Sequence, residues 1–177
     1  DEKGRLRAFP FMAEVPIMFY NLDAYGRAGL DPKKPARTWA ALQADLLALR
    51  DKARVTCPYA TSHQVQVHIE NLAPINNQLF LTPDNGLKAN KGVTFNFNTL
   101  YMRHVALMVS WRRTELLTEY SDSNAPSRDF TDGKCSVLTA ASSEMAEILA
   151  SNVSFGVAPL PFYDQATKAP GAPFVSG

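Results

Sequence analysis

A short apolar run near the start of the chain restricts its fold more than any other feature. Ile17-Met18-Phe19-Tyr20 is apolar and rich in β-forming residues, with Pro16 before it and Asn21 after it. A run this short between turn residues is typical of a strand that is buried on both faces. The following residues, 22–28, favour a short helix, and Gly29 is placed to end that helix in the left-handed conformation. We therefore predict a buried strand that passes directly into a helix.

Helix and strand patterns then alternate along the chain. Thr38 is placed to cap a helix in which four apolar residues recur at helical spacing: Trp39, Leu42, Leu46 and Leu49. Further helices are predicted over residues 64–76 (with Val65, Ile69 and Leu72 facing inward), 99–117, 128–131 and 142–149, where Ser142 is placed as the cap. Further strands are predicted over residues 55–60, 93–97, 135–139 and 153–158. This order predicts an α/β fold that is rich in helix and has a small mixed sheet.

Length and composition narrow the class of protein. At 177 residues the chain is long enough for one domain with a substantial core. Hydrophobic residues make up 46% and charged residues 20%, which is the balance of an ordinary globular domain. The net charge of +1 gives no indication of a nucleic acid partner or of an acidic membrane surface. No apolar run reaches the roughly 18 residues that a membrane-spanning helix needs.

Signals for catalysis are weak. His68 and His104 fall inside predicted helices, where core or surface imidazoles are the simplest interpretation. His63 together with Cys57 or Ser142 would provide a base and a nucleophile, and a secreted hydrolase therefore stays an alternative. However, no nucleophile elbow surrounds Ser142, and the sequence has neither a glycine-rich phosphate loop nor a metal-site spacing of histidines. We predict no catalytic residue, no metal and no cofactor.

The sequence indicates ligand binding more clearly than it indicates catalysis. Residues 13–14, 62–66 and 141–142 each precede or follow a predicted strand, and we expect these three segments to converge on one edge of the sheet. The last of them opens a helix, so its free backbone amides are expected to donate hydrogen bonds to a ligand oxygen. For Glu14, His63 and Gln66, ordinary solvated loop chemistry remains an equal alternative, and Ser142 is also explained as a helix cap.

A series of short motifs connects this chain to a known class of proteins. They occur in order along nearly the whole sequence: residues 16–21, Asp23-Ala24-Tyr25, residues 28–32, Thr38-Trp39, Glu70-Asn71, Asp84-Asn85-Gly86, Arg103-His104, Gly133-Lys134-Cys135, Thr139-Ala140, Phe155-Gly156-Val157 and Pro161. In this order and spacing they resemble the extracellular solute-binding proteins of ABC importers. Within that group the resemblance is greatest to the glycerol-3-phosphate-binding proteins.

The resemblance implies a fold, a function and a location. Proteins of this kind have two lobes and more than twice this length, so residues 1–177 are expected to be a single lobe, mainly the second, excised from a longer chain. The implied function is to capture a small polar solute in a cleft and to deliver it to the permease subunits of an ABC importer. The implied location is the periplasm, with the signal peptide outside this fragment. A stand-alone glycan-binding module is a further alternative.

The resemblance also implies a set of ligand-binding positions. The related proteins have a serine at the place of Glu14, two tryptophans at the places of His63 and Gln66, a serine at the place of Ala141 and a glycine at the place of Gly177. Ser142 matches a serine beside the contact position. Because most of these residue types differ here, we expect the same site with a different ligand, one that is neutral or cationic.

The sequence contains two cysteines, Cys57 and Cys135. Both fall where strands are predicted to begin, and the related proteins have cysteines at the matching positions. The resemblance therefore implies a Cys57–Cys135 disulfide, as suits an oxidising compartment. Two buried thiols are the alternative.

Overall fold

The computed structural model describes residues 12–87 and 92–175. Within these ranges the strands are β1 (Pro16–Asn21), β2 (Cys57–Thr61), β3 (Leu81–Thr82), β4 (Thr94–Phe95), β5 (Cys135–Ala141) and β6 (Phe155–Pro159). The α-helices are α1 (Leu22–Ala28), α2 (Trp39–Asp51), α3 (Leu72–Ile75), α4 (Thr99–Arg113), α5 (Ala125–Thr131) and α6 (Met145–Leu149). The expected helix-rich α/β fold with a small mixed sheet is confirmed.

The main sheet has four strands in the order β2-β5-β1-β6. β1 pairs antiparallel with both of its neighbours, whereas β2 and β5 are parallel. Strands β3 and β4 form a separate antiparallel pair. β1, the first strand of the described residues, therefore occupies an interior position in the sheet, as its apolar run predicts.

The junction between β1 and α1 forms as the sequence predicts. Asn21 ends the strand, and its side chain accepts a hydrogen bond from the backbone N–H of Ala24 at 2.9 Å, which caps the helix. Gly29 ends the helix at a φ of 73°, a conformation that glycine adopts without steric cost. Thr38 caps α2 in the same way by accepting from Ala41. Local turn chemistry thus defines both helices.

The core lies on both faces of β1. Met18 faces a cluster that includes Trp39 and Trp111, which are supplied by α2 and α4. Phe19 points to the other face and packs in a cluster with Phe130 and Leu138. Because successive side chains of a strand point to opposite faces, one apolar strand contributes to both layers.

The helix predicted over residues 64–76 is wrong in detail. The chain there forms a π-helical turn over Gln66–Glu70, in which the backbone N–H of Asn71 donates to the carbonyl of Gln66 at 3.1 Å, and α3 follows. The wider turn rotates the inward face relative to an α-helix. Val65, expected to face inward, is 62% exposed, whereas Val67 and His68 are buried.

The predicted Cys57–Cys135 disulfide is confirmed. The two residues are direct partners at the start of the parallel strands β2 and β5, with Cα atoms 4.5 Å apart. The bond joins positions that are 78 residues apart in sequence. It therefore links the edge strand of the sheet to its neighbour at the end opposite to the exit of β2.

We expect removal of this disulfide to lower the free energy of unfolding by about 4–5 kcal/mol, because a long closed loop no longer restricts the unfolded chain. Urea denaturation of the oxidised chain, of the reduced chain and of Cys57→Ala/Cys135→Ala measures the effect. The double variant is also the control, since reductant must leave its midpoint unchanged. Equal midpoints for the oxidised and reduced chains would contradict the prediction.

Candidate functional site

The three segments that were expected to converge do lie at one edge of the sheet. Pro16, the first residue of β1, is opposite Ala141, the last residue of β5. The end of β2 is at the same edge, because Thr61 pairs with Thr139. The backbone N–H of Ser62 then donates to the carbonyl of Thr139 at 3.0 Å. We call the region formed by residues 13–15, 61–66 and 141–144 the converging edge.

Ser142 has a structural role that the sequence did not indicate. Its hydroxyl accepts a hydrogen bond from the backbone N–H of Val15 at 3.1 Å, and its own N–H donates to the carbonyl of Val15 at 2.8 Å. The expected helix cap is wrong, because the residue in the cap position is Ala141 and it makes no side-chain cap bond. One of the amides expected to be available to a ligand is therefore already used to attach the segment before β1.

His63 contacts an acidic residue that was not among the predicted site residues. Its Nε2 lies 3.3 Å from Oε1 of Glu144, which belongs to the short 3₁₀ turn Ser142–Glu144. The side chain of His63 is 46% exposed and that of Glu144 is 17% exposed. The position of Glu144, two residues after the segment 141–142, was the one sequence signal that placed it near this edge.

The other predicted ligand-binding residues differ in their burial and in their position at the converging edge. Glu14 is half-buried and precedes Val15 at the converging edge. Gln66 is half-buried at the start of the π-helical turn, and Ala141 is buried at the end of β5. Gly177 lies outside the described residues. Ligand contact by any of these residues stays a prediction.

A buried pair of histidines lies behind the converging edge. Nδ1 of His68 is 2.9 Å from Nε2 of His104, and Nδ1 of His104 is 2.9 Å from the hydroxyl of Tyr163. Nε2 of His68 is 3.0 Å from Oγ1 of Thr61 and 3.2 Å from the hydroxyl of Tyr59. The interpretation of His68 and His104 as core imidazoles is confirmed.

The histidine pair connects the segment that follows β2 to the rest of the fold. His68 lies on the π-helical turn, whereas His104 lies on α4 and packs edge-on against Trp39 at a ring distance of 4.8 Å. The hydrogen bond between the two imidazoles therefore connects the turn that begins at Gln66 to α4.

Burial keeps both imidazoles neutral. It lowers the pKa of His68 from 6.5 to about 4, and burial together with the neighbouring His68 lowers the pKa of His104 well below 6.5. No carboxylate is among their hydrogen-bond partners within the described part of the chain. A proton added to either ring therefore has no counter-ion nearby.

We expect the chain to lose stability as the pH falls from 7 to 5. The unfolded histidines take up protons near 6.5 and the folded ones do not, so the free energy of unfolding decreases by about 2 kcal/mol for each imidazole that stays neutral. Urea denaturation at several pH values measures this change. His68→Gln/His104→Gln should reduce the pH dependence, and the matched control His63→Gln should retain it. An equal pH dependence in the double variant and the original chain would disprove the assignment.

No group of three or more His, Cys, Asp or Glu residues within 12–87 and 92–175 could bind a metal ion. Over the same ranges, no helix combines the length and the apolar character needed to cross a membrane.

Comparison with known proteins indicates the class of protein to which this chain is similar. Over nearly all of its length this chain is similar to periplasmic binding proteins. The particular relatives are sn-glycerol-3-phosphate-binding periplasmic proteins UgpB, and the resemblance expected from the sequence motifs is confirmed. No family model matches the chain.

The relatives differ little in their similarity to this chain. The protein of Yersinia pestis bv. Antiqua (strain Antiqua) is 31% identical over 175 residues, which is 98% of this chain and 40% of the relative. That of Pectobacterium atrosepticum is 29% identical over 177 residues, or 99% of this chain and 40% of the relative. That of Brucella abortus (strain 2308) is 28% identical over 162 residues, or 91% of this chain and 37% of the relative. The chain spans about 40% of the length of the first of these relatives.

Proposed function

We propose that this chain is one lobe, mainly the second, of the substrate-binding component of an ABC importer. The whole protein captures a small polar solute in the periplasm and delivers it to the permease subunits in the membrane. The observation that supports this most is the similarity of 98% of the chain to a glycerol-3-phosphate-binding periplasmic protein. Such similarity along nearly every element is more specific than any single motif.

The geometry of the converging edge supports the same function. Binding sites of α/β proteins form where loops leave the ends of strands, and here three such segments meet. The Cys57–Cys135 disulfide also suits the oxidising conditions of the periplasm. In this proposal Glu14, His63 and Gln66 face the solute from one lobe. The proposal also assigns ligand contact to Ala141, Ser142 and Gly177.

The proposed mechanism is capture by closure of two lobes. The solute binds at the converging edge, the other lobe closes over it by a hinge movement, and the closed form docks on the permease. Because one lobe supplies only part of the contacts, the converging edge contributes recognition and the closure contributes much of the affinity.

The charges at the converging edge favour a neutral or cationic solute. Glu14 replaces a serine of the related proteins, and Glu144 adds a second carboxylate that contacts His63. A carboxylate accepts hydrogen bonds and cannot donate them to a phosphate. At about 4 Å from a phosphate it costs roughly 1 to 4 kcal/mol at effective dielectric constants between those of water and a protein surface. Polyols, sugars and amine-bearing glycerophosphodiesters, which carry no net negative charge, fit these charges better than glycerol-3-phosphate does.

A secreted hydrolase is the second candidate, because His63 has an acidic partner in Glu144. Such a pair can orient a general base. However, neither candidate nucleophile of such a hydrolase is free. Cys57 forms the disulfide, and the hydroxyl of Ser142 accepts a hydrogen bond from the backbone N–H of Val15. The names of the relatives also describe binding, not catalysis. The binding function therefore has the stronger support.

We expect Glu14→Ser to strengthen binding of glycerol-3-phosphate by fivefold or more, because it removes the repulsion between two anions. Calorimetric titration of the protein expressed from the complete reading frame measures this, with glycerol and glycerol-3-phosphate as probes. Asp23→Ser is the matched control, since Asp23 is an exposed carboxylate beyond the opposite end of β1. Tight binding of glycerol-3-phosphate that Glu14→Ser does not improve would contradict the charge argument. Failure of both glycerol and glycerol-3-phosphate to bind would count against the proposed function itself.

We expect the 177-residue chain by itself to bind the same solute far more weakly than the protein from the complete reading frame. Half of the cleft is missing from a single lobe, so the solute loses contacts and closure cannot occur. Calorimetry on both proteins with one solute makes the comparison. Equal micromolar affinities would contradict the two-lobe proposal.

A further inference from the structure

Asn71 makes hydrogen bonds to two parts of the chain that are far apart in sequence. It directly follows the π-helical turn Gln66–Glu70 and is 1% exposed. Its side-chain NH₂ group donates to the backbone carbonyl of Gln66 at 2.8 Å, and its Oδ1 accepts from the backbone N–H of Phe174 at 2.6 Å. One buried carboxamide therefore joins the last residue of segment 61–66 at the converging edge to a residue 103 positions after Asn71.

The bond to Gln66 stabilises the π-helical turn. The backbone N–H of Asn71 also donates to the carbonyl of Gln66, at 3.1 Å, and this is the bond that closes the turn. A carbonyl oxygen has two lone pairs, so it accepts the backbone donor and the side-chain donor together. Asparagine side chains that bond to nearby backbone groups in this way favour departures from a regular α-helix. Two donors of Asn71 thus fix the backbone of Gln66, a proposed ligand-binding residue.

The bond to Phe174 attaches the same turn to a segment that is itself held in place. This segment, residues 163–174, lies along α3. The backbone N–H of Gly171 donates to the carbonyl of Ile75 at 2.8 Å, and the backbone at Gly171 approaches α3 too closely for any side chain there. The segment is therefore fixed three residues before Phe174. Gly177, another proposed ligand-binding residue, is three positions after Phe174 in the sequence and lies outside the described residues.

We infer that Asn71 is a positioning residue for the solute site. Its carboxamide holds Gln66 at the converging edge and attaches the turn of Gln66 to the 163–174 segment. The inference rests on the proposed function, in which Gln66 faces the solute. Loss of the carboxamide would remove one donor from the carbonyl of Gln66 and the acceptor from the N–H of Phe174. The turn would rearrange to recover such partners, and Gln66 would move relative to the solute.

Asn76 provides a matched control. It is also 1% exposed, its side-chain NH₂ group donates to the backbone carbonyl of Leu72 at 2.7 Å, and its Oδ1 accepts from the backbone N–H of Tyr163 at 2.8 Å. Asn76 and Asn71 therefore share their burial and their pattern of hydrogen bonds, and both connect to the 163–174 segment. Neither of these partners of Asn76 belongs to the converging edge. A purely structural role predicts the same consequences for the loss of either asparagine.

The test compares Asn71→Ala with Asn76→Ala in the protein expressed from the complete reading frame. Urea denaturation should give similar decreases of the midpoint, because each variant loses two hydrogen bonds of the same kind. Calorimetric titration with glycerol and glycerol-3-phosphate should show binding weakened by about fivefold in Asn71→Ala alone, the effect of one misplaced hydrogen bond to the solute. Asn71→Ser and Asn76→Ser, which keep a polar atom, replace the alanine variants if those do not fold.

A second measurement uses the original protein and needs no variant. In NMR spectra of the side-chain amides, a bound probe should shift the carboxamide signals of Asn71 and leave those of Asn76 nearly unchanged. The reason is that Asn71 donates directly to Gln66, whereas Asn76 bonds to Leu72 and Tyr163. A role in stability alone would give no such difference between the two asparagines.

The outcomes separate this inference from the function on which it rests. If a probe binds the original protein and binds Asn71→Ala equally well, the positioning role is disproved and the proposed function stands. If Asn71→Ala and Asn76→Ala weaken binding equally, or if a bound probe shifts both carboxamide signals equally, the role of Asn71 is only structural and the inference is again disproved. If neither probe binds the original protein, the proposed function fails and the inference fails with it.

Discussion

The burial of β1 on both faces is the constraint on which the rest of the structure depends. Met18 and Phe19 are fully buried on opposite faces of the sheet, and β1 pairs with β5 on one side and β6 on the other. A shift of one residue in either pairing would exchange the two faces and place each side chain in the wrong core cluster. The register of the sheet is therefore strongly determined by packing alone.

That register positions the converging edge. Because Pro16 is opposite Ala141, Val15 comes within hydrogen-bonding distance of Ser142. At the other end of the sheet, the disulfide of Cys57 joins β2 to β5, and the parallel pairing brings the exit of β2 to the same edge. The ligand-binding residues that we propose are thus placed by two elements that lie outside the site, a buried strand and a covalent bond.

The local parts of the fold could be predicted closely, and the parts that depend on distant partners could not. Asn21, Gly29 and Thr38 define helix ends within a few residues of themselves, and the predictions there are confirmed. The segment 64–76 was predicted as a regular helix because its apolar spacing is compatible with one. Its actual π-helical turn places His68 against His104, 36 positions away, which no local pattern indicates.

The sequence by itself determined the fold class, the apolar faces of β1 and α2, the two ends of α1, the start of α2 and which segments would meet at an edge. Only the tertiary structure decided that His63 would contact Glu144. It also decided that the hydroxyl of Ser142 would accept a hydrogen bond from Val15 instead of capping a helix. The physical reason is the distance along the sequence over which each interaction acts. Backbone propensity and capping act over a few residues, whereas the choice of a polar partner depends on which distant segments the packing of the core brings within about 3 Å.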